Sequence, residues 1–353
     1  MAAYTTIDDP SAYFQTKIYT GSNNQSVTND GNSNLKPDLV WTKRRAVTET
    51  AMMQDSTRGA NSQLFTANTA AESTRTDQVQ TFDTNGVTFG TDTAGYSNVA
   101  GNTYVMWQWK ANGGTTSSNG DGGITSTVQA NTTAGFSIAT YTGNSNNPSS
   151  IGHGLGVVPK FYVIKQRDAV NPWKVYHSGI ATDAEDYVME LNTTGAREDN
   201  VIWNDTGPTS SVINFTDHGG VNQSGETYVA YCFAEVQGYS RFSSYIGNGN
   251  ANGPFVWTGF KPAFVIVKKS SDTGNWLVYD NKRGAFNLND EYVYANEASA
   301  EATSSTSGYD FLSNGFKVRN TYNDGNVSSE TYIYMAFAEN PFVTSTGIPA
   351  TAR

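Results

Sequence analysis

The sequence predicts an all-β fold of three tandem antiparallel β-sandwich modules, jelly-roll or lectin-like, on three observations. One set of motifs recurs three times, apolar residues alternate at a period of two within it, and no long amphipathic helical pattern interrupts them.

The most recognisable repeated element follows a proline. Lys36-Pro37-Asp38-Leu39-Val40-Trp41-Thr42-Lys43, Val158-Pro159-Lys160-Phe161-Tyr162-Val163-Ile164-Lys165 and Lys261-Pro262-Ala263-Phe264-Val265-Ile266-Val267-Lys268 share an apolar run and a lysine six positions after the proline. They predict a strand opened where no ladder donor is needed. The register continues with Trp173 and Trp276 fourteen residues past the proline, Tyr176 and Tyr279 at seventeen, and Asp55, His177 and Asp280 at eighteen. The first copy has lost the aromatic pair, carrying Ala51 and Gln54.

Each copy begins with a tyrosine-glycine turn, Tyr19-Thr20-Gly21, Tyr141-Thr142-Gly143 or Tyr245-Ile246-Gly247, and closes on an alternating aromatic strand. The turn tyrosine and the strand tyrosine (Tyr104, Tyr228, Tyr332) lie 85, 87 and 87 positions apart. In that strand Val105, Trp107 and Trp109 match Val229, Tyr231 and Phe233, and Ile333, Met335 and Phe337, so one face must be core. Tyr104, Met106 and Gln108 form the opposite face. Asn-Gly steps such as Asn85-Gly86 and Asn314-Gly315 predict tight hairpins.

These elements place a first module with an N-terminal arm at 1–110, a Gly/Ser/Thr linker at 111–135, a second module at 136–235 and a third with a C-terminal tail at 236–353. The long linker leaves the first module loosely hung beside a closely packed second and third.

Charged residues make up only 15% and the net charge is −10, without a basic run, which argues against nucleic acid and against an anionic membrane surface. No apolar stretch approaches membrane-spanning length, so no insertion is expected. The single cysteine, Cys232, rules out an internal disulfide framework, and the N-terminal residues lack a secretory pattern.

Few residues invite chemistry. His153, His177 and His218 have no metal-ligand spacing and are expected on loops or the surface; no metal, cofactor or catalytic residue is assigned, and no enzyme activity is expected. Asp280 and Arg283, echoed by Asp55 and Arg58, fit either a grip on a sugar or carboxylate or a pair across a turn. With Tyr245, Trp257 and Tyr309, they form the candidate ligand-binding set, since exposed rings stack on sugar faces.

The turn Tyr245-Ile246-Gly247-Asn248-Gly249, the strand Lys261 to Lys268, Tyr228-Val229-Ala230-Tyr231-Cys232-Phe233-Ala234-Glu235 and the ending Ala336-Phe337-Ala338-Glu339-Asn340-Pro341-Phe342 resemble a repeat of virion proteins in tailed bacteriophages of marine bacteria and cyanobacteria. The resemblance implies a virion structural protein, made in the host cytoplasm and carried on the extracellular particle. It implies a tail-fibre or appendage component that contacts the host surface; the alternative is a capsid decoration or spacer with no ligand of its own. The implied partners are other virion proteins, a host-surface glycan and further copies of the chain, with a trimer suggested. The first module, lacking the Trp-x-x-Tyr pair, would anchor to the particle.

Overall fold

The computed structural model describes residues 3–351, and they are all-β, with several antiparallel sheets. The sequence repeat is also a repeat of strand order. In the first repeat a large sheet runs Phe14–Thr20, Thr103–Trp109, Leu39–Arg44, Met52–Asp55, Ser62–Phe65, Ser73–Thr74, so the closing strand lies between the opening strand and the proline strand. The third has the same order: Ser240–Ile246, Thr331–Pro341, Phe260–Lys269, Trp276–Asp280, Glu291–Tyr294, Ala302–Thr303. The second repeats it from Phe136–Thr142 to Glu198–Asp199. Each repeat adds a small sheet, built on Gln25–Thr28, Ser149–Gly152 or Phe255–Trp257.

Both faces of the large sheets are buried, for different reasons. Tyr19, Tyr141 and Tyr245 stack on Tyr104, Tyr228 and Tyr332 at 5.1–5.2 Å and pack against Phe89, Phe215 and Phe316 of their own small sheets. The other faces meet at the centre of the molecule. There the three equivalent closing-strand residues Trp109, Phe233 and Phe337 contact one another, with ring centroids 6.2, 5.6 and 5.9 Å apart. Three copies of one position touching pairwise places them around a pseudo-three-fold axis. Alternating aromatic strands supply both faces, which is why the side opposite Val105, Trp107 and Trp109 is also apolar.

Three expectations need correction. The stretch 111–135 is no linker: Ser117–Asn119 and Ser126–Asn131 extend the second repeat's large sheet. Its small residues hid the alternation, but Val128 is buried, and Gln129 uses both ends of its amide. Its Oε1 accepts from the Asn112 and Gly114 N–H groups, while Nε2 donates to Ser56 and Thr57 hydroxyls. The first repeat is accordingly not loosely hung, since Trp107 and Trp109 sit in the shared core. The N-terminal arm also packs on the third repeat: the Tyr4 hydroxyl donates to the Gly259 carbonyl and the Thr5 hydroxyl to that of Gln237.

The proline opens the strand in the first two repeats, but in the third the strand begins at Phe260 and passes Pro262 with a break in register. A bulge accommodates the missing N–H. The Asn-Gly glycines are demanded by close approach: a Cβ on Gly86 or Gly315 would lie 2.1 Å from the carbonyl oxygen of Val27 or Val256 on the adjacent strand.

Candidate functional site

Of the five candidate ligand residues, one faces solvent. Trp257 is 45% exposed, whereas Tyr245, Tyr309, Asp280 and Arg283 are buried. The Tyr245 hydroxyl donates to the Gly325 carbonyl and lies 3.2 Å from that of Tyr309, so both rings serve the core. Spacing alone could not distinguish an exposed tyrosine from one whose hydroxyl finds a backbone partner inside.

Asp280 and Arg283 pair across their turn, with Arg283 Nε 2.6 Å from Asp280 Oδ2. The carboxylate also accepts the Lys282 and Arg283 N–H groups and, from the first repeat, the Trp107 indole N–H at 3.0 Å. The same construction stands in the first repeat: Asp55 pairs with Arg58 at 2.5 Å and accepts the hydroxyl of Tyr231, from the second repeat, at 2.7 Å. Trp107 and Tyr231 occupy one position in the repeat. The Asp-Arg turn is thus a clamp between repeats and has no free valence for a sugar.

A second layer encloses each clamp. Glu72 joins Arg58 to Arg167 of the second repeat, at 2.6 and 2.7 Å; Glu301 joins Arg283, at 3.3 Å, to Arg45 of the first, at 2.6 Å. Burial alone would raise the Glu72 carboxyl, but Arg167 and Arg58 outweigh it and hold it down at about 2. Beside each pair runs a backbone bond, Glu72 N–H to the Arg167 carbonyl and Glu301 N–H to the Arg45 carbonyl.

The remaining junction, from the second repeat to the third, keeps the backbone bond, Arg197 N–H to the Ser270 carbonyl, and exchanges every side chain of the clamp. His177 replaces the aspartate, Ile180 the arginine, Arg197 the glutamate, Ser270 the partner arginine and Met335 the partner donor. Methionine offers no hydrogen to a carboxylate. His177 Nε2 instead lies 3.0 Å from the Tyr334 carbonyl, while its Nδ1 accepts the Gly179 N–H. Burial pushes the imidazole down to about 4, so it stays neutral at pH 7. His177 thus lies buried at the end of the strand Lys174–His177, against the expectation of a loop or surface position, whereas His153 lies on a loop, also buried; desolvation lowers its pKa, and its Nε2 lies 3.1 Å from the Thr209 carbonyl.

The lysine six after each proline completes the ring. Lys43, Lys165 and Lys268 are fully buried, and each ammonium reaches a carbonyl of the preceding repeat in the cycle: Glu297, Thr69 and Thr194 respectively. Burial lowers them to about 8, 8 and 7. The tryptophans fourteen past the proline act alike, Trp173 Nε1 donating to the Phe65 carbonyl and Trp276 Nε1 to that of Glu190. Reading the single sequence missed Glu72, Glu301, Arg45 and Arg167. Their signal was the joint change at equivalent positions, arginine at 45 and 167 against serine at 270.

Two features among the described residues bear on ligand binding. A cleft of about 380 Å³ lies between the first and third repeats, lined by Gln15, Asp30, Asn281, Lys282 and Glu339 over Phe14. Lys17 and Lys282 both pair with Asp30 at its rim, and Asn281 donates to Glu339. The other feature is the outer face of the third repeat's small sheet, where Phe255 and Trp257 project side by side, 46% and 45% exposed. The Arg241 guanidinium lies over the Trp257 ring, 4.8 Å from its centroid.

Residues 9–341 match the family described as Domain of unknown function (DUF7483), and the chain belongs to that family. No curated protein matches the chain.

Proposed function

We propose that this member of the DUF7483 family is a non-catalytic virion component of a tailed bacteriophage, a tail-fibre or appendage block that contacts the host surface. In this reading the three repeats are β-sandwich modules closed into one rigid body, carried on the particle among other virion proteins and made in the host cytoplasm. The phage assignment rests on the resemblance of the repeat motifs.

The observation supporting a binding role over a catalytic one is how the reactive side chains are used. The buried lysines, the Asp-Arg turns and His177 all hold one repeat to the next, and the thiol of Cys232, pushed up to about 12 by burial, is held protonated. An exposed aromatic pair remains.

A compact ring also favours an appendage block over a spacer. The Asp8 carboxylate accepts the Ser345 N–H, so the early and late described segments meet on one side and the repeats close on themselves instead of extending as a rod. The test is binding of purified, labelled protein to host cells, together with antibody labelling of particles. Saturable binding and labelled particles are expected. Absence of cell binding, with normal adsorption by particles lacking the protein, overturns the reading.

A further inference from the structure

The internal three-fold repeat supplies its own control for the exposed aromatic pair. Val256 faces Phe316 in the third repeat's small sheet as Val27 faces Val87 in the first and Ile151 faces Ile213 in the second. The positions flanking those buried residues are therefore equivalent. They are Phe255 and Trp257 in the third repeat, Ser26 and Thr28 in the first, and Ser150 and Gly152 in the second. The scaffold forms the same strand pair without an aromatic ring at either position, so packing does not require the rings. Leaving two of them about half exposed carries a solvation cost that a partner would relieve.

We propose that Phe255 and Trp257 form a saccharide-binding platform, with Arg241 as its polar partner. Three features of the face select a sugar over a protein. Two half-exposed rings present only about 200 Å² of apolar surface, well below the roughly 800 Å² that each partner buries in a stable protein interface. That area is close to one pyranose face. Polar groups stand beside the rings: Phe255 lies in register with Lys317 and then Asp310, and Asp310 pairs with Arg319 at 3.3 Å. Arg241 donates from Nη1 to Glu235 at 3.2 Å, and its side chain stays 29% exposed beside the Trp257 ring. Finally, a net charge of −10 opposes docking of a second copy. The ring face would pack on the C–H face of the sugar while the guanidinium donates to a hydroxyl.

This site deepens the host-contact reading and rests on it. The probe is favourable, because Trp41, Trp107, Trp109, Trp173, Trp203 and Trp276 are all buried and Trp257 alone is exposed. Protein labelled with 5-fluorotryptophan is titrated with glucose, galactose, mannose, N-acetylglucosamine and their β-linked disaccharides, following the fluorine resonances. At least one sugar should shift the Trp257 resonance saturably, with a dissociation constant on the order of 1 mM, and leave the buried six unmoved. Arg241→Gln should weaken that shift about tenfold. F255S/W257T, which installs the first repeat's residues, should fold normally and bind host cells at least tenfold less. No shift with any sugar overturns the proposal, as does concentration-dependent dimerisation abolished by W257T. Equal cell binding by wild type and F255S/W257T also overturns it while leaving the host-contact reading standing. Loss of cell binding by the wild type, with the sugar shift intact, sinks the host-contact reading instead.

Discussion

Replacing Arg283 by isoleucine, the residue that the second repeat carries at the same place, isolates what one clamp contributes. The guanidinium is wholly buried; it pairs with Asp280 at 2.6 Å and donates to the Val278 carbonyl at 2.9 Å. Removing one partner of a buried pair costs about 3–5 kcal/mol, because the other charge stays desolvated. Asp280 keeps two backbone N–H donors and the Trp107 indole, which points to the lower end, about 3 kcal/mol. The orphaned Val278 carbonyl adds about 1 kcal/mol. D280H alone leaves Arg283 only the Glu301 carboxylate at 3.3 Å and the Val278 carbonyl, and should cost about 3 kcal/mol. D280H/R283I removes both charges and rebuilds the side chains of the second repeat's turn, so its cost should be about that of R283I alone, and the coupling then equals the cost of D280H, about 3 kcal/mol. Urea unfolding followed by tryptophan fluorescence and circular dichroism measures all three. Additivity within about 0.5 kcal/mol would refute the clamp as a coupled unit.

Other perturbations probe the remaining junctions. Phe337→Ala removes one of three rings that meet on the axis and should cost about 3–5 kcal/mol; separate transitions for the three repeats in the wild type would show that they do not share a core. Stability should also fall in mild acid. His177 has its folded pKa lowered to about 4, so the unfolded chain binds the extra proton first, and the stability present above about pH 6.5 is lost as pH falls towards 4, by on the order of 3 kcal/mol. His177→Gln should flatten that limb of a melting-temperature profile. The lysines, also lowered, work on the alkaline side: stability should rise between about pH 7 and 10 as the unfolded chain alone retains their protons. A flat profile there in calorimetry would contradict their burial as charged groups at neutral pH.

The strands were legible because alternation and proline placement are local signals. Tyr104 to Trp109 alternates between two apolar faces, and both are buried, as that pattern requires. The missing strand at Ser126–Asn131 shows the limit: serine, threonine and asparagine conceal a period of two, and burial of Gln129 depends on four partners far from it in sequence. The assembly was less legible than the strands. Val105, Trp107 and Trp109 were assignable to a core, but whether that core belonged to one repeat or three could not be read from one strand. The same limit explains the site. Asp280 and Arg283 carried a chemical signature, and only their cross-repeat partner Trp107 decides that the signature is structural.

The exchanged junction argues that the clamp is a unit and not a collection of favourable pairs. Five positions change together between the second and third repeats: aspartate, arginine, glutamate, the partner arginine and the hydrogen-donating aromatic are all absent where His177, Ile180, Arg197, Ser270 and Met335 stand. A buried carboxylate without a donor across the junction would remain desolvated, so losing the donor at 335 disfavours aspartate at 177. Without that aspartate, arginine at 180 would be the unpaired buried charge, and isoleucine removes it. Arg197 then has no arginine to avoid, since Ser270 stands opposite; its guanidinium turns to the Ile180 carbonyl and the Tyr187 ring, 4.7 Å from the centroid. The backbone bond and the buried lysine, which do not depend on these choices, persist at all three junctions. It follows that restoring a donor by Met335→Tyr should not by itself strengthen this junction; the tyrosine hydroxyl would meet a neutral imidazole already engaged at both nitrogens. Met335→Tyr is therefore expected to destabilise by about 1–3 kcal/mol through overpacking, measured by urea unfolding. A stabilising effect would show that the donor acts independently of the aspartate and would break the coupling argued here.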